Sequence, residues 1–237
     1  MILKPGEVYF NNRMSLDLNL RLENHPIIST VNEEYEEIKV EGRNGSLYEN
    51  KGTFPDREVP LTFTLVSKEL ALDFDEIMEW LTYIEDNRLM YNRIDKTLRV
   101  KKILTDNLSP EFVSFGEIPI TFICEPFLTD LEPTIYTITS NNFSFEYYGN
   151  ASADSLIKVY GSGNIQLTIN GETMQINSVS SYFEIDSDLL QVRNADGTSK
   201  DGDTIGDFVM FEKGINTIAY TGSVTKIVVE YTTKYKW

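Results

Sequence analysis

The sequence is poor in the residues that carry chemistry. Its 237 residues include one cysteine, Cys124, and one histidine, His25. A single cysteine excludes an internal disulfide framework and a thiolate metal cluster, and one His with one Cys leaves little for a zinc site. Cys124 lies in an apolar alternating stretch, where a free cysteine packs as a small hydrophobe. A reactive thiol needs a base beside it, and His25 falls in a proline-flanked loop. No apolar run approaches the length of a membrane-spanning helix. The opening Met1-Ile2-Leu3-Lys4-Pro5-Gly6 lacks a basic region followed by an apolar one, so we expect no secretory leader and folding in a cytoplasm.

Positive charge is also scarce. The chain has 21 Lys and Arg against 37 Asp and Glu, a formal charge of −16. Both halves share the imbalance, with 14 basic against 25 acidic residues in 1–132 and 7 against 12 in 133–237. Such a surface repels a phosphate backbone, so specific nucleic-acid binding is not expected. The exception is the stretch of Arg88, Arg93, Lys96, Arg99, Lys101 and Lys102. With only Tyr91 interleaved, it reads as a solvated strand face or a docking patch for an acidic neighbour.

What is present is strand pattern. Hydrophobic residues make up 41% of the chain, enough for packed cores. Val59, Leu61, Phe63 and Leu65 alternate with Pro60, Thr62 and Thr64, and Ile118, Ile120, Phe122 and Cys124 repeat the spacing. Residues two apart share one face of a strand, so each set covers one side of a core. Tyr35, Ile38 and Val40 lead into Glu41-Gly42-Arg43-Asn44-Gly45, which predicts a turn or long hairpin loop reaching toward Pro55-Asp56.

One helix interrupts the strands. Phe74, Ile77, Met78, Leu81 and Ile84 recur at helical spacing and predict a helix near 73–86, with Asp73, Asp75 and Glu76 favoured at its start by the helix dipole and Asn87 as a stop. Trp80 falls off this stripe and is expected at its rim. After Pro126-Phe127 the composition shifts. Leu128 to Pro133 reads as a linker, and beyond it Asn, Ser, Thr and Gly become frequent with no helical pattern. Ile165, Leu167 and Ile169 run into Asn170-Gly171 and then Met174 and Ile176, which predicts a two-residue hairpin. Ile227, Val229 and Tyr231 supply a closing strand. The expected organisation is mainly β: an N-terminal β-sandwich with one packed helix in 1–130, and a second sandwich or jelly roll in 134–237.

Sites of chemistry do not emerge. Gly161-Ser162-Gly163 would need a following helix to cradle phosphate, but a strand pattern follows, so a tight reversal is expected. Asp196-Gly197, Asp201-Gly202-Asp203 and Asp207 form a carboxylate-rich loop whose register does not fit an EF-hand. Tyr147, Tyr148, Tyr160, Tyr182 and Tyr220 could form an aromatic face for sugar. No residue is singled out as catalytic, cofactor-binding or metal-ligating. A hydrolase using two carboxylates has no pair that the sequence distinguishes.

The order of motifs suggests something else. Gly42-Arg43-Asn44-Gly45-Ser46-Leu47, Gly52-Thr53-Phe54 and Pro60-Leu61-Thr62-Phe63 resemble the opening of the distal tail protein (Dit) family of long-tailed, non-contractile phages. The stretch from Phe115-Gly116-Glu117 through Ile118-Pro119-Ile120-Thr121-Phe122-Ile123-Cys124-Glu125-Pro126-Phe127 resembles the end of that family's first domain. Asn164 to Gly171, Gly206-Asp207-Phe208 and Gly214-Ile215-Asn216-Thr217-Ile218 resemble its second. The resemblance implies a non-enzymatic virion protein of the tail tip, from a phage or a prophage, assembled in the bacterial host cytoplasm. It implies a homo-hexameric ring built by the first domain, with an outward galectin-like second domain. The ring would join the tail tube protein to the tail-associated hub protein and anchor a receptor-binding protein or baseplate, while DNA passes through it. The chain is too short for a large inserted sugar-binding module. On this reading the Gly42–Glu58 segment is expected to pack on an adjacent subunit, and the acidic run Glu33, Glu34, Glu36, Glu37 is a candidate for the channel wall. A carbohydrate-binding adhesion module acting on host glycans is the alternative.

Overall fold

The computed structural model describes residues 6–23, 30–65, 70–91, 93–105 and 117–236, without the side chains of 70–73. The chain divides into two compact units, Met1–Leu128 with Lys236–Trp237, and Thr129–Tyr235. The last residues thus belong with the first unit, which no local pattern announces.

In the first unit the strands are β1 (Val8–Phe10), β2 (Arg13–Met14), β3 (Leu20–Leu22), β4 (Tyr35–Ile38), β5 (Leu47–Asn50), β6 (Arg57–Leu65), β7 (Arg88–Tyr91), β8 (Lys96–Leu104) and β9 (Glu117–Cys124). Seven of them form one sheet in the order β2-β1-β7-β8-β9-β6-β3. β6 and β9 pair antiparallel with Val59 opposite Phe122 and Leu61 opposite Ile120, so the two alternating sets of the sequence lie on one buried face. Among the described residues β4 and β5 pair only with each other, as a separate two-stranded ribbon.

The helix α1 (Leu70–Thr82) begins and ends earlier than the apolar spacing predicts. Its end is set by a residue far away in sequence. Asn11, left-handed at φ 48, donates from Nδ2 to the Trp80 and Tyr83 carbonyls at 2.8 and 2.7 Å. Its Oδ1 accepts from the Glu85 amide at 2.8 Å and the Asp86 amide at 3.3 Å. The terminal carbonyls of the helix are satisfied there, so the chain turns out. Ile84, expected in the buried stripe, lies beyond the end and is 42% exposed. Trp80 corrects the other way: it is 2% exposed, sits edge-on to Phe10 at 5.6 Å and donates Nε1–H to the Phe10 carbonyl at 2.7 Å. A tryptophan can occupy a core where its N–H finds such a partner.

The second unit opens at Thr129, within β10 (Leu128–Asp130), which pairs with β19 (Lys234–Tyr235). Between them run β11 (Thr134–Ile138), β12 (Phe143–Tyr147), β13 (Ser155–Ile169), β14 (Glu172–Val179), β15 (Tyr182–Asp186), β16 (Gln191–Asn194), β17 (Thr204–Ile205) and β18 (Gly214–Tyr231). β13 and β18 pair from Ser155 opposite Tyr231 to Ile169 opposite Ile218 and organise the rest. The first part of β13 carries β15 and the second carries β14. Likewise β12 lies on the early part of β18 and β11 on the late part. Both parts bury residues in one core, which includes Ile157 and Val159 before the break and Ile165, Leu167 and Ile169 after it.

That break is Gly161-Ser162-Gly163. It is no reversal: the register slips between Tyr160 and Gly161 and again between Ser162 and Gln166 while the strand continues. A Cβ on Gly161 would stand 2.3 Å from the Ser223 carbonyl oxygen. Hydrogen alone fits there, which lets a long strand bend without ending. The predicted hairpin at Asn170-Gly171 is present, with φ 52 and 92 and Ile169 opposite Glu172. A two-residue turn with both central residues left-handed matches the twist of the strands it joins.

Candidate assembly surfaces

The residues most able to do chemistry are spent on structure. Cys124 is fully buried, and burial pushes its thiol up to about 12, far from a nucleophile. His25 lies outside the described residues. In the carboxylate-rich loop, Asp196 accepts from the Thr198 Oγ1 and amide at 2.6 and 3.0 Å, and these bonds hold its pKa below the ordinary value. Asp201 accepts from the Val192 amide at 2.7 Å and from Ser199 Oγ at 2.8 Å. Asp203 pairs with Lys200 at 3.1 Å. No group of three potential ligands that could hold a metal ion occurs among the described residues.

The five tyrosines do not converge. Tyr147 is buried; its hydroxyl donates to the Ala151 carbonyl at 2.7 Å and accepts from the Lys234 amide at 2.9 Å. Tyr148 is exposed beside Glu146. Only Tyr160 and Tyr182 meet, with ring centroids 5.1 Å apart. The Lys226 ammonium caps the Tyr160 ring at 4.2 Å, which takes the face a sugar would stack on.

The β4–β5 ribbon is the most conspicuous surface feature. All eight of its strand residues are exposed, including Tyr35, Ile38, Leu47 and, at 67%, Tyr48. A two-stranded hairpin is at best marginally stable alone in water and needs a surface to cover it. Its root is well tied. Glu34 and Lys51 bracket it, the Glu34 amide donating to the Thr53 carbonyl and the Lys51 amide to the Glu34 carbonyl, both at 2.9 Å. Thr53 Oγ1 donates to the Glu34 carboxylate at 2.6 Å. Asn50 donates to Glu33 at 2.5 Å, and this bond first, then Lys236 at 3.4 Å, holds the Glu33 carboxyl below its ordinary pKa. The sequence reading placed the arm at Gly42–Glu58, but the ribbon spans 35–50 and Arg57–Glu58 already belongs to the core strand β6. The turn glycines mark only the tip.

Register gives each face of the ribbon a composition. Glu36 faces Glu49 and Ile38 faces Leu47 on one side; Tyr35 faces Asn50 and Glu37 faces Tyr48 on the other. Like charges directly opposite across a ladder destabilise it. Lys51 relieves the Glu36–Glu49 pair in part, at 3.4 Å from Glu36.

The basic stretch lies on β7 and β8. Arg88 and Arg99 are cross-strand partners. Arg88 is gripped by Asp86, with its Nε and Nη2 at 2.9 and 2.8 Å from the two carboxylate oxygens. Lys101 pairs with Asp56 at 2.8 Å, and that bond first raises its pKa. Arg99 and Lys102 are exposed, and their side chains make no ion pair or hydrogen bond among the described residues.

Sequence reasoning passed over Arg57. It occupies the buried face of β6, 5% exposed, opposite Cys124. Its Nε and Nη2 have no hydrogen-bond partner among the described residues, and burial holds its pKa below the ordinary arginine value. Its place in the alternation with Val59 and Leu61 is the signal that could have found it.

No family model matches the chain, and no curated protein matches it. A solved structure does. The SPP1 Dit protein, described as a paradigm of the hub adsorption apparatus in phages infecting Gram-positive bacteria, superposes with a TM-score of 0.67 over 96% of this chain and 98% of that one, at 12% identity. The chain therefore has a Dit-like, mainly β fold over nearly its whole length.

Proposed function

We propose that this chain is a structural subunit of a phage tail tip, closing into a hexameric ring that connects the tail tube to the hub and receptor-binding apparatus. The observation that carries the reading is the likeness in fold to a hub adsorption protein across both units, end to end. The exposed β4–β5 ribbon supports it. A ring needs a head-to-tail interface made of two different patches, and an arm that leaves its own sheet is suited to reach a neighbour. The first unit builds the ring; the second unit projects outward and holds other tail proteins. The acidic surface suits a ring through which DNA slides without sticking.

Mass measurement in solution, with electron microscopy of the same sample, tests the proposal. Six-fold rings are expected, alone or with the tube or hub protein present; a monomer under all three conditions refutes it. Replacing 36–49 by a short Gly-Ser link should leave a folded monomer, because no buried residue is lost. An intact hexamer after that replacement would remove the arm from the interface. The carbohydrate-binding alternative has its best candidate in Tyr160 and Tyr182, and the Lys226 cap counts against it. Binding on a glycan array that is lost with Tyr182→Ala would revive it.

A further inference from the structure

We infer that the acidic face of the β4–β5 ribbon docks on the basic edge of the β8 outer face of a second copy of this chain, with Glu36 and Glu49 straddling Arg99 and Lys102. The inference rests on the ring reading and names the surface that the arm meets.

Charge is the first argument. Residues 33–50 hold six acidic side chains against two basic ones, Lys39 and Arg43. Arg88–Lys102 holds six basic against one acidic, Asp95. In an acidic chain this stretch is the basic exception, and two of its cations, Arg99 and Lys102, have no counter-charge among the described residues. On the arm, the Glu36–Glu49 opposition is a local defect that an incoming cation would relieve. Each surface lacks what the other holds in excess.

Order along the strands is the second argument. On the ribbon face the acidic pair is followed two residues on by the apolar pair Ile38 and Leu47. On the outer face of β8, Lys102 is followed two residues on by Leu104, with Ile123 of β9 opposite Lys102. Leu104 and Ile123 are half-buried, so they offer apolar surface. Two residues of strand span about 6.6 Å in both elements, so charge meets charge where apolar meets apolar. Glu58 lies on the same row as Ile123 and Lys102, two strands from β8 at roughly 9.6 Å, and repels the arm from the β6 side. That repulsion fixes the direction of approach.

Charge reversal with rescue tests the inference. Glu36→Lys with Glu49→Lys should raise the concentration needed for assembly at least tenfold, and Arg99→Glu with Lys102→Glu should do the same. Both pairs of sites are exposed, so thermal melts should match the parent. Combining the four substitutions should restore assembly to within a few-fold of the parent, and raising NaCl from about 0.1 M to about 1 M should weaken the parent as the screening length shortens. Reversals without effect, or disruption by the arm reversal that the fourfold variant does not repair, overturn the inference while leaving the ring intact. A parent chain that never assembles overturns the ring reading itself, and this inference with it.

Discussion

Replacing Asn11 by Ala should cost the first unit more than any other change to an uncharged polar side chain in it. Four hydrogen bonds at 2.7–3.3 Å converge on that side chain. The Trp80 carbonyl is buried and has no access to water once Nδ2 is gone, at a cost of about 1–3 kcal/mol. The Tyr83 carbonyl and the two amides are partly buried, and together they lose about another 1 kcal/mol after rehydration. Alanine in a left-handed backbone adds about 1 kcal/mol, since Asn11 sits at φ 48. The sum is about 3–5 kcal/mol, which for a unit of this size lowers Tm by roughly 10–20 °C. Asn11→Gly keeps the backbone cost near zero and isolates the hydrogen bonds. Urea unfolding followed by Trp80 fluorescence, in a Trp237→Phe background, reports the first unit directly. A loss below about 1 kcal/mol would refute the reasoning, because the cap would then not terminate the helix.

Arg57→Met should stabilise the first unit by about 1–4 kcal/mol, since it replaces a buried guanidinium, two of whose nitrogens have no partner among the described residues, by an apolar chain of similar length; a lower urea midpoint would contradict this. For Asp86, burial raises the pKa, but the hydrogen bonds from Arg88 and Tyr9 and the Arg88 charge outweigh it and hold the carboxyl below its ordinary value. A depressed pKa gives stability that is present above the ordinary carboxylate range and lost as pH falls through the folded value. Asp86→Ala should therefore cost about 1–3 kcal/mol at pH 7 and almost nothing at strongly acid pH, as equilibrium unfolding at both pH values would show. Gly161→Ala sets a methyl group 2.3 Å from the Ser223 carbonyl oxygen and should cost the second unit about 3 kcal/mol, with the Trp80 transition unmoved; near-UV circular dichroism follows the tyrosines of that unit.

How much of this was legible depends on the range of the interaction that decides each feature. The alternating sets at 59–65 and 118–124 were readable because burial on one face writes itself into every second residue. The Asn170-Gly171 turn was readable because its backbone angles admit few residue types. The helix end was not, because the group that stops it is Asn11, about seventy positions away. Trp80 was misplaced for the same reason: its partner is the Phe10 carbonyl, and helical spacing knows nothing of it. The glycines at 161–163 signalled a departure from regular strand, but a turn and a bulge share that composition, and only the pairing with β18 separates them. The arm was visible as a region and misjudged in extent, since turn residues announce the tip and not the root.

The root of the arm also has a place in time. The Val31 amide donates to the Lys236 carbonyl at 3.2 Å, Lys236 reaches Glu33 at 3.4 Å, and its ammonium lies 4.6 Å above the Phe54 ring. These contacts join positions some two hundred residues apart, so they cannot close until residue 236 has been made, long after the ribbon itself. Until residue 236 has emerged, the root has its local bonds at Glu33, Glu34, Asn50, Lys51 and Thr53 but lacks the contacts that Lys236 supplies. A nascent chain that stops short of it therefore carries a ribbon whose root is less constrained than in the folded protein. A residue made late in synthesis thus fastens the root of a surface made some two hundred positions earlier.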